Sequence, residues 1–248
     1  MHVRLKKKYG QNFLKDKNIL QKIFKLIKSE NLNILEVGPG SGNLTEFILK
    51  INPSKLTLIE IDGDLIPNLK SRFFESNNLF IYNLDILKSD ELLDVNYDLI
   101  ISNLPYNISS QVLVKFCLLQ NAPNRMILMF QKEFANKLLE QNLNSLNSLV
   151  KCFYSIEKKF DISKNSFYPI PKVDSTIVEF TKLKKNYIEK EHIQKYIIFK
   201  RKIFNKKRKS ISSILKLKKL DFSENYLRRR AESFSLEEFI DLFLLTNS

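Results

Sequence analysis

Apolar residues in the first two-thirds of this chain fall in short unbroken runs, separated by stretches where they recur every three or four positions. The runs at 33–37, 56–61, 79–82, 99–102 and 125–130 read as strands buried on both faces, and 43–50, 65–74, 110–119 and 132–140 as amphipathic helices between them. Alternation of this kind winds into a mostly parallel sheet, an α/β class. Two later segments, 150–160 and 175–183, also have strand character and flank the turn Phe167-Tyr168-Pro169-Ile170-Pro171; they are expected to add an antiparallel pair at the sheet edge. Beyond Lys184 the spacing is helical only, at 191–204, 207–217, 223–230 and 236–245, so the natural division lies near residue 185. No internal repeat is visible.

Length and composition add limits to that pattern. A chain of 248 residues supports one sizeable core and a small second unit, and 44% hydrophobic with 27% charged residues reads as soluble and globular. Cys117 and Cys152 stand far apart in apolar segments, as small buried hydrophobes do, and with only His2 and His192 besides them there is little from which to build a zinc cluster. No stretch has the length of a membrane span, and the Lys-rich start lacks an apolar signal core, so a reducing, cytoplasmic compartment is expected.

The net charge is +14, and its distribution says more than its size. Residues 1–28 carry nine Lys or Arg against one acid and residues 182–230 carry eighteen against four. Residues 29–181 carry fourteen against eighteen, and the last eighteen residues hold four acids and no base. A compositional drift toward Lys, Asn and Ile would raise Lys everywhere and would not leave the middle acidic. Basic flanks that grip a polyanion, around a core kept for chemistry, account better for the pattern than solvated helix faces do.

Candidate chemistry concentrates at the ends of the expected strands. Only five glycines occur where average usage gives roughly seventeen, and three of them, Gly38, Gly40 and Gly42, follow the strand that ends Leu35-Glu36-Val37. A strand-to-helix turn so rich in glycine lets a ligand approach the backbone closely. A bare Gly-x-Gly-x-Gly turn also serves dinucleotides and plain tight turns; without a following Lys-Ser/Thr it does not read as an ATP loop. The next strand ends at Glu60-Ile61-Asp62, where a carboxylate can accept from both hydroxyls of a ribose, and Asp85 follows the third strand, where it can accept from an adenine amine. Together they mark an adenosine-bearing ligand without choosing one, and either acid alone reads equally well as a helix cap. Asn103-Leu104-Pro105-Tyr106 ends the fourth run with an amide, a fixed bend and a ring. The Asn103 side-chain oxygen and the Leu104 carbonyl can each accept one proton of an exocyclic amine, Pro105 limits the backbone, and Tyr106 offers a stacking face.

These motifs, with Gln11-Asn12-Phe13-Leu14, Gln131-Lys132-Glu133, Phe167 through Ser175, Phe204 through Lys209 and Arg230-Ala231-Glu232, resemble in order and nearly end to end those of the ribosomal RNA adenine dimethyltransferases. The likeness is to the small-subunit, KsgA-type branch. It implies a Rossmann-like class I S-adenosylmethionine-dependent methyltransferase sheet with a small all-α C-terminal domain, divided into a catalytic part at 1–184 and a helical RNA-binding part at 185–248. By the resemblance, S-adenosylmethionine lies against Asn12, Leu14, Gly38 and Gly40, with its ribose at Glu60 and its adenine at Asp85. Asn103 then stands between cofactor and substrate, and Phe167 supplies a second stacking face opposite Tyr106. The implied partners are small-subunit ribosomal RNA and the 30S particle, the implied product two dimethylated adjacent adenines in the 3′-terminal hairpin of 16S RNA, and the expected state a monomer without metal. Lys6, Lys7, Lys8, Lys206, Lys207, Arg208 and Lys209 are the expected RNA grip.

Three other readings compete. The large-subunit methyltransferases of macrolide resistance share the pocket but tend to carry Ile where Leu104 stands and lack the Val173-Asp174-Ser175 form. A non-catalytic assembly factor is disfavoured by a complete set of pocket residues, and a nicotinamide dehydrogenase by the absence of a catalytic histidine, since His192 stands in a Lys-rich segment.

Overall fold

The computed structural model describes residues 6, 9–206, 208–215, 226 and 228–247. In chain order its strands are β1 (Phe13–Leu14), β2 (Asn33–Val37), β3 (Lys55–Glu60), β4 (Leu79–Asn83), β5 (Leu99–Asn103), β6 (Arg125–Gln131), β7 (Tyr154–Ile162), β8 (Phe167–Tyr168) and β9 (Ser175–Lys182). Seven of them join in one sheet in the order β4-β3-β2-β5-β6-β9-β7, while β1 and β8 make a separate antiparallel pair. The five apolar runs form the parallel part: β2 pairs with β3 and β5, β3 with β4, and β5 with β6. Ile34, Leu56, Leu58, Ile100, Met126 and Leu128 are wholly buried along these strands, which is why the runs lack an apolar–polar alternation. β9 runs antiparallel to β6, with Gln131 opposite Ser175.

The connectivity decides where a ligand can sit. From β2 the chain moves to one side through β3 and β4, then returns to pair β5 on the other side of β2. The carboxyl ends of β2 and β5 therefore meet at a topological switch point, with Val37 in register with Ser102. Gly38, the end of β3 at Glu60 and the end of β5 at Asn103 all lie at that edge.

Two local features depart from the sequence expectation. A helix at Lys17–Phe24 begins at Asp16, whose side chain accepts from the amides of Asn18 and Ile19 at 2.9 and 3.3 Å. The stretch 150–160 is a strand only from Tyr154; Val150 closes a short helix, Asn147–Val150, and Cys152 and Phe153 turn away with their side chains buried. An apolar run reports burial, and a buried turn satisfies it as well as a strand does.

Contacts divide the chain into two units, Met1–Ala135 with Ile156–Lys182, and Asn136–Ser155 with Leu183–Ser248. The first holds the parallel sheet. In the second, the helices Ile193–Phe204 and Leu236–Asn247 pack through rings: Tyr196 against Phe243 at 5.2 Å and Phe199 against Phe239 at 5.4 Å between centroids. Residues 136–155 group with this unit because Tyr196 Oη donates to the Ser148 carbonyl at 3.1 Å and Lys200 Nζ to the Ser145 carbonyl at 2.6 Å. A division near residue 185 leaves that segment with the sheet. The last helix starts on a capping box, the Ser235 amide donating to Glu238 Oε2 at 2.8 Å and the Glu238 amide to Ser235 Oγ at 3.2 Å. His2, Lys7, Lys8 and Lys207 lie outside the described residues, as do parts of the expected helices at 207–217 and 223–230. Among the described residues no helix is long and apolar enough to cross a membrane.

Candidate functional site

A cleft of about 710 Å³, counted with its open mouth, lies at the switch point. Asn12, Gly38, Gly40, Glu60, Asp85, Asn103, Leu104 and Tyr106 all line it. The glycine turn explains its floor. Gly38 sits at φ +68°, and among the described residues beyond its chain neighbours the only atom a Cβ there would approach is the Asn103 carbonyl oxygen at 3.8 Å, which leaves room for a ligand. Gly40, at φ +59°, is required by its neighbour: a Cβ would come within 2.7 Å of the Phe13 ring.

The acidic side of the cleft is organised by backbone amides. Glu60 is buried, and its two oxygens accept from the Gly40 amide at 3.0 Å and the Asp62 amide at 2.9 Å. Burial raises its pKa against the pull of those amides. A carboxylate has about four acceptor sites, so Glu60 keeps acceptor capacity for a ribose hydroxyl. Asp85 caps the short helical turn after β4 by accepting from the Leu87 amide at 2.9 Å, which leaves its second oxygen for an amine. Both acids thus act as local caps and as cleft walls at once.

Another wall of the cleft is set by the end of β5. Asn103 Nδ2 donates to the Asn12 carbonyl at 2.9 Å, which fixes the amide and leaves Oδ1 as its acceptor. Leu104 is buried and lines the cleft beside Asn103. Tyr106 Oη is 2.9 Å from Ser175 Oγ, and burial raises its pKa, so it stays a neutral ring. Asp174 pins the same corner, its carbonyl accepting from the Lys132 amide at 3.0 Å and its Oδ1 from the Lys164 amide at 2.9 Å. Ser175 therefore holds Tyr106, and none of Val173, Asp174 and Ser175 lines the cleft.

Three expected residues are placed differently from the rest. Phe167 does not line the cleft: it is 0% exposed and packs in the apolar cluster with Leu14, Leu20 and Ile23, so as it stands it offers no stacking face. The cause is strand alternation, since β8 turns Phe167 inward and Tyr168 outward, the latter 61% exposed and in register with Phe13. Leu14, opposite Phe167, is likewise buried and lines a neighbouring apolar cavity instead. Lys6 is not a free cation; its amine lies 2.6 Å from both Asp62 and Asp64. By contrast Arg201, Lys202, Lys206, Arg208 and Lys209 are exposed in the second unit.

Sequence reasoning missed Gln11 and Asp62 as partners. Gln11 Nε2 donates to Asp62 Oδ2 at 2.7 Å, a pairing across 51 positions for which no local signal exists. It also left Glu36 without a role. That carboxyl is buried beneath the glycine turn, accepts from Thr45 Oγ1 at 2.7 Å, and is pushed up to about 8 by burial, with the charge of Glu60 adding to the effect. Among the described residues no group of three His, Cys, Asp or Glu could hold a metal ion.

Comparison with known proteins agrees with this geometry. The family model for ribosomal RNA adenine dimethylase matches residues 2–243. A ribosomal RNA small subunit methyltransferase A of Mycoplasma mobile is 38% identical over 220 residues, covering 87% of this chain and 85% of the relative. Among solved structures, a dimethyladenosine transferase from Plasmodium falciparum superposes with a TM-score of 0.82 at 28% identity, over 94% of this chain and 96% of that one. A 23S rRNA methyltransferase, ErmE, shares the fold with a TM-score of 0.75 at 20% identity, over 95% and 100% of the two chains.

Proposed function

This chain belongs to the ribosomal RNA adenine dimethylase family, and from that premise we propose that it dimethylates two adjacent adenines in the 3′-terminal hairpin of 16S small-subunit RNA and thereby serves 30S biogenesis in the cytoplasm. It is an S-adenosylmethionine-dependent ribosomal RNA adenine dimethyltransferase. The likeness to a small-subunit enzyme, together with Leu104 and the Val173-Asp174-Ser175 corner, supports the small-subunit substrate.

The cofactor fits the cleft. Gly38 leaves open space where a side chain would fill it, Glu60 keeps acceptors for a ribose, and Asp85 keeps one for an adenine amine. When bound, S-adenosylmethionine supplies a methyl carbon already activated by its sulfonium. What the protein must add is alignment. One observation carries the reading: Asn103, its amide fixed by Asn12, stands beside Leu104 and Tyr106 in the same cleft as Gly38 and Glu60.

Adenine's exocyclic amine is a poor nucleophile because its lone pair is delocalised into the ring. Asn103 Oδ1 and the Leu104 carbonyl accept its two protons, favour a more tetrahedral nitrogen and aim the lone pair across the cleft. No residue has to act as a base first, since the methylated ammonium is strongly acidic and loses its proton afterward. Tyr106 stacks on the flipped base, a contact of roughly 1–3 kcal/mol. Exposed Arg201, Lys202, Lys206, Arg208 and Lys209 hold the phosphates.

The test is parallel incubation of unmethylated small subunits and of large subunits with methyl-labelled cofactor, followed by nucleoside analysis and mapping. Label is expected as N6,N6-dimethyladenosine at two adjacent positions near the 3′ end of 16S RNA. Label confined to 23S RNA, or monomethylated product at a single site, would overturn the assignment.

A further inference from the structure

Asp62 is wholly buried and directly follows Glu60 and Ile61, which line the cleft, without lining it itself. Its groups reach three different elements. The backbone amide donates to Glu60 Oε1 at 2.9 Å. Oδ1 accepts from Lys6 Nζ at 2.6 Å and from the Asp64 amide at 3.2 Å. Oδ2 accepts from Gln11 Nε2 at 2.7 Å, and Gln11 Oε1 in turn accepts from the Lys6 amide at 2.8 Å. The next residue, Asn12, holds the Asn103 amide through its carbonyl at 2.9 Å. Residues 9–12 line the cleft, so the segment held by Asp62 is also one of its walls.

We propose that Asp62 is a positioning residue that ties the cofactor-side carboxylate Glu60 to the substrate-side amide Asn103, by clamping the N-terminal segment through Gln11 and Lys6. The inference rests on the methyltransferase reading of the cleft. Its physical content is a continuous chain of hydrogen bonds: Glu60, Asp62, Gln11, then one residue along the backbone to Asn12, then Asn103. Burial works against ionisation of Asp62, yet the bonds from Lys6 and Gln11 hold its carboxyl below the usual range, so it is a charged anchor. Losing the clamp frees the Asn12 carbonyl and with it the orientation of Asn103 Oδ1, so both cofactor affinity and turnover depend on a side chain that touches neither ligand.

The contact can be inverted without changing shape. In Asp62→Asn, Oδ1 still serves Lys6 and the Asp64 amide, but an NH₂ now faces the Gln11 NH₂. In Gln11→Glu, two carboxylates face each other. In the double variant the new amide at position 62 donates to the new carboxylate at position 11, and the pair is restored with its direction reversed.

Two readouts are made on each protein: amide hydrogen exchange of residues 9–13 without cofactor, and titration with S-adenosylmethionine alongside kcat on unmethylated small subunits. Each single variant should exchange these amides at least about tenfold faster, bind cofactor about tenfold more weakly and lose turnover, with the double variant recovering to within about threefold of the parent. Asp64→Asn, which alters only an exposed partner of Lys6, should stay within about twofold. Singles that exchange and bind like the parent, or a double no better than the worse single, would overturn the clamp while leaving the methyltransferase reading intact. A parent protein that does not bind S-adenosylmethionine at all overturns both.

Discussion

At the residue scale, the site separates side chains that touch ligands from those that hold them in place. Asn103 is proposed to be of the first kind: the Asn12 carbonyl fixes its amide and leaves Oδ1 as an acceptor for the target amine. Asn103→Ala is expected to lower turnover by about 10²–10³-fold while changing S-adenosylmethionine affinity only a few-fold, measured by single-turnover methylation and calorimetric titration. Equal losses in both would count against its role. Glu36 is a buried acid just before the glycine turn, bonded by Thr45 Oγ1. Its folded pKa of about 8 lies above the unfolded value, so the folded state holds the proton more tightly; the stability this gives is full below about pH 4.5 and is lost as pH rises toward 8. Glu36→Gln should remove that decline, with melting temperatures of parent and variant close at pH 5 and the variant higher at pH 8.5. Phe167 is the instructive failure. Its motif was legible, but in a two-residue strand one position of difference selects core or surface, and burial of the ring was decided by the pairing with β1.

At the element scale, the five parallel strands formed within a residue or two of their apolar runs, because a strand buried on both faces must be apolar throughout; β4, at the sheet edge, is the one that leaves an apolar side chain, Phe80, exposed. The glycine turn was legible for a related reason: in a chain with five glycines, three in five positions mark backbone that something approaches. What approaches Gly40 is partly the protein itself, the Phe13 ring. Gly40→Ala must displace that ring and is expected to cost roughly 1–3 kcal/mol, read as a lower melting temperature, together with weaker cofactor binding. Gly40→Ala with unchanged stability and binding would show that Phe13 moves freely. The pair β1 and β8 was not legible. Two residues carry no periodicity, and their pairing joins segments more than 150 positions apart.

At the scale of the whole molecule, charge and topology divide the work. The acidic middle of the sequence builds the parallel sheet and the cleft, and the exposed bases of the second unit face solvent. Binding to small-subunit RNA should weaken at least about tenfold between 50 and 200 mM salt, the slope giving the number of phosphates held. A nearly salt-independent affinity would remove these bases from the docking surface. The sequence by itself determined the α/β alternation, the glycine turn, the acids at the strand ends and the Asn-Leu-Pro-Tyr corner, since each depends on residue type and short spacing. Only the tertiary structure decided that Lys6 is spent on Asp62 and Asp64, that Asp62 clamps Gln11, that Ser175 holds Tyr106, and that Tyr168 rather than Phe167 faces outward. Those outcomes depend on which distant segments meet, and a one-residue change of register or partner reverses them without altering any local pattern.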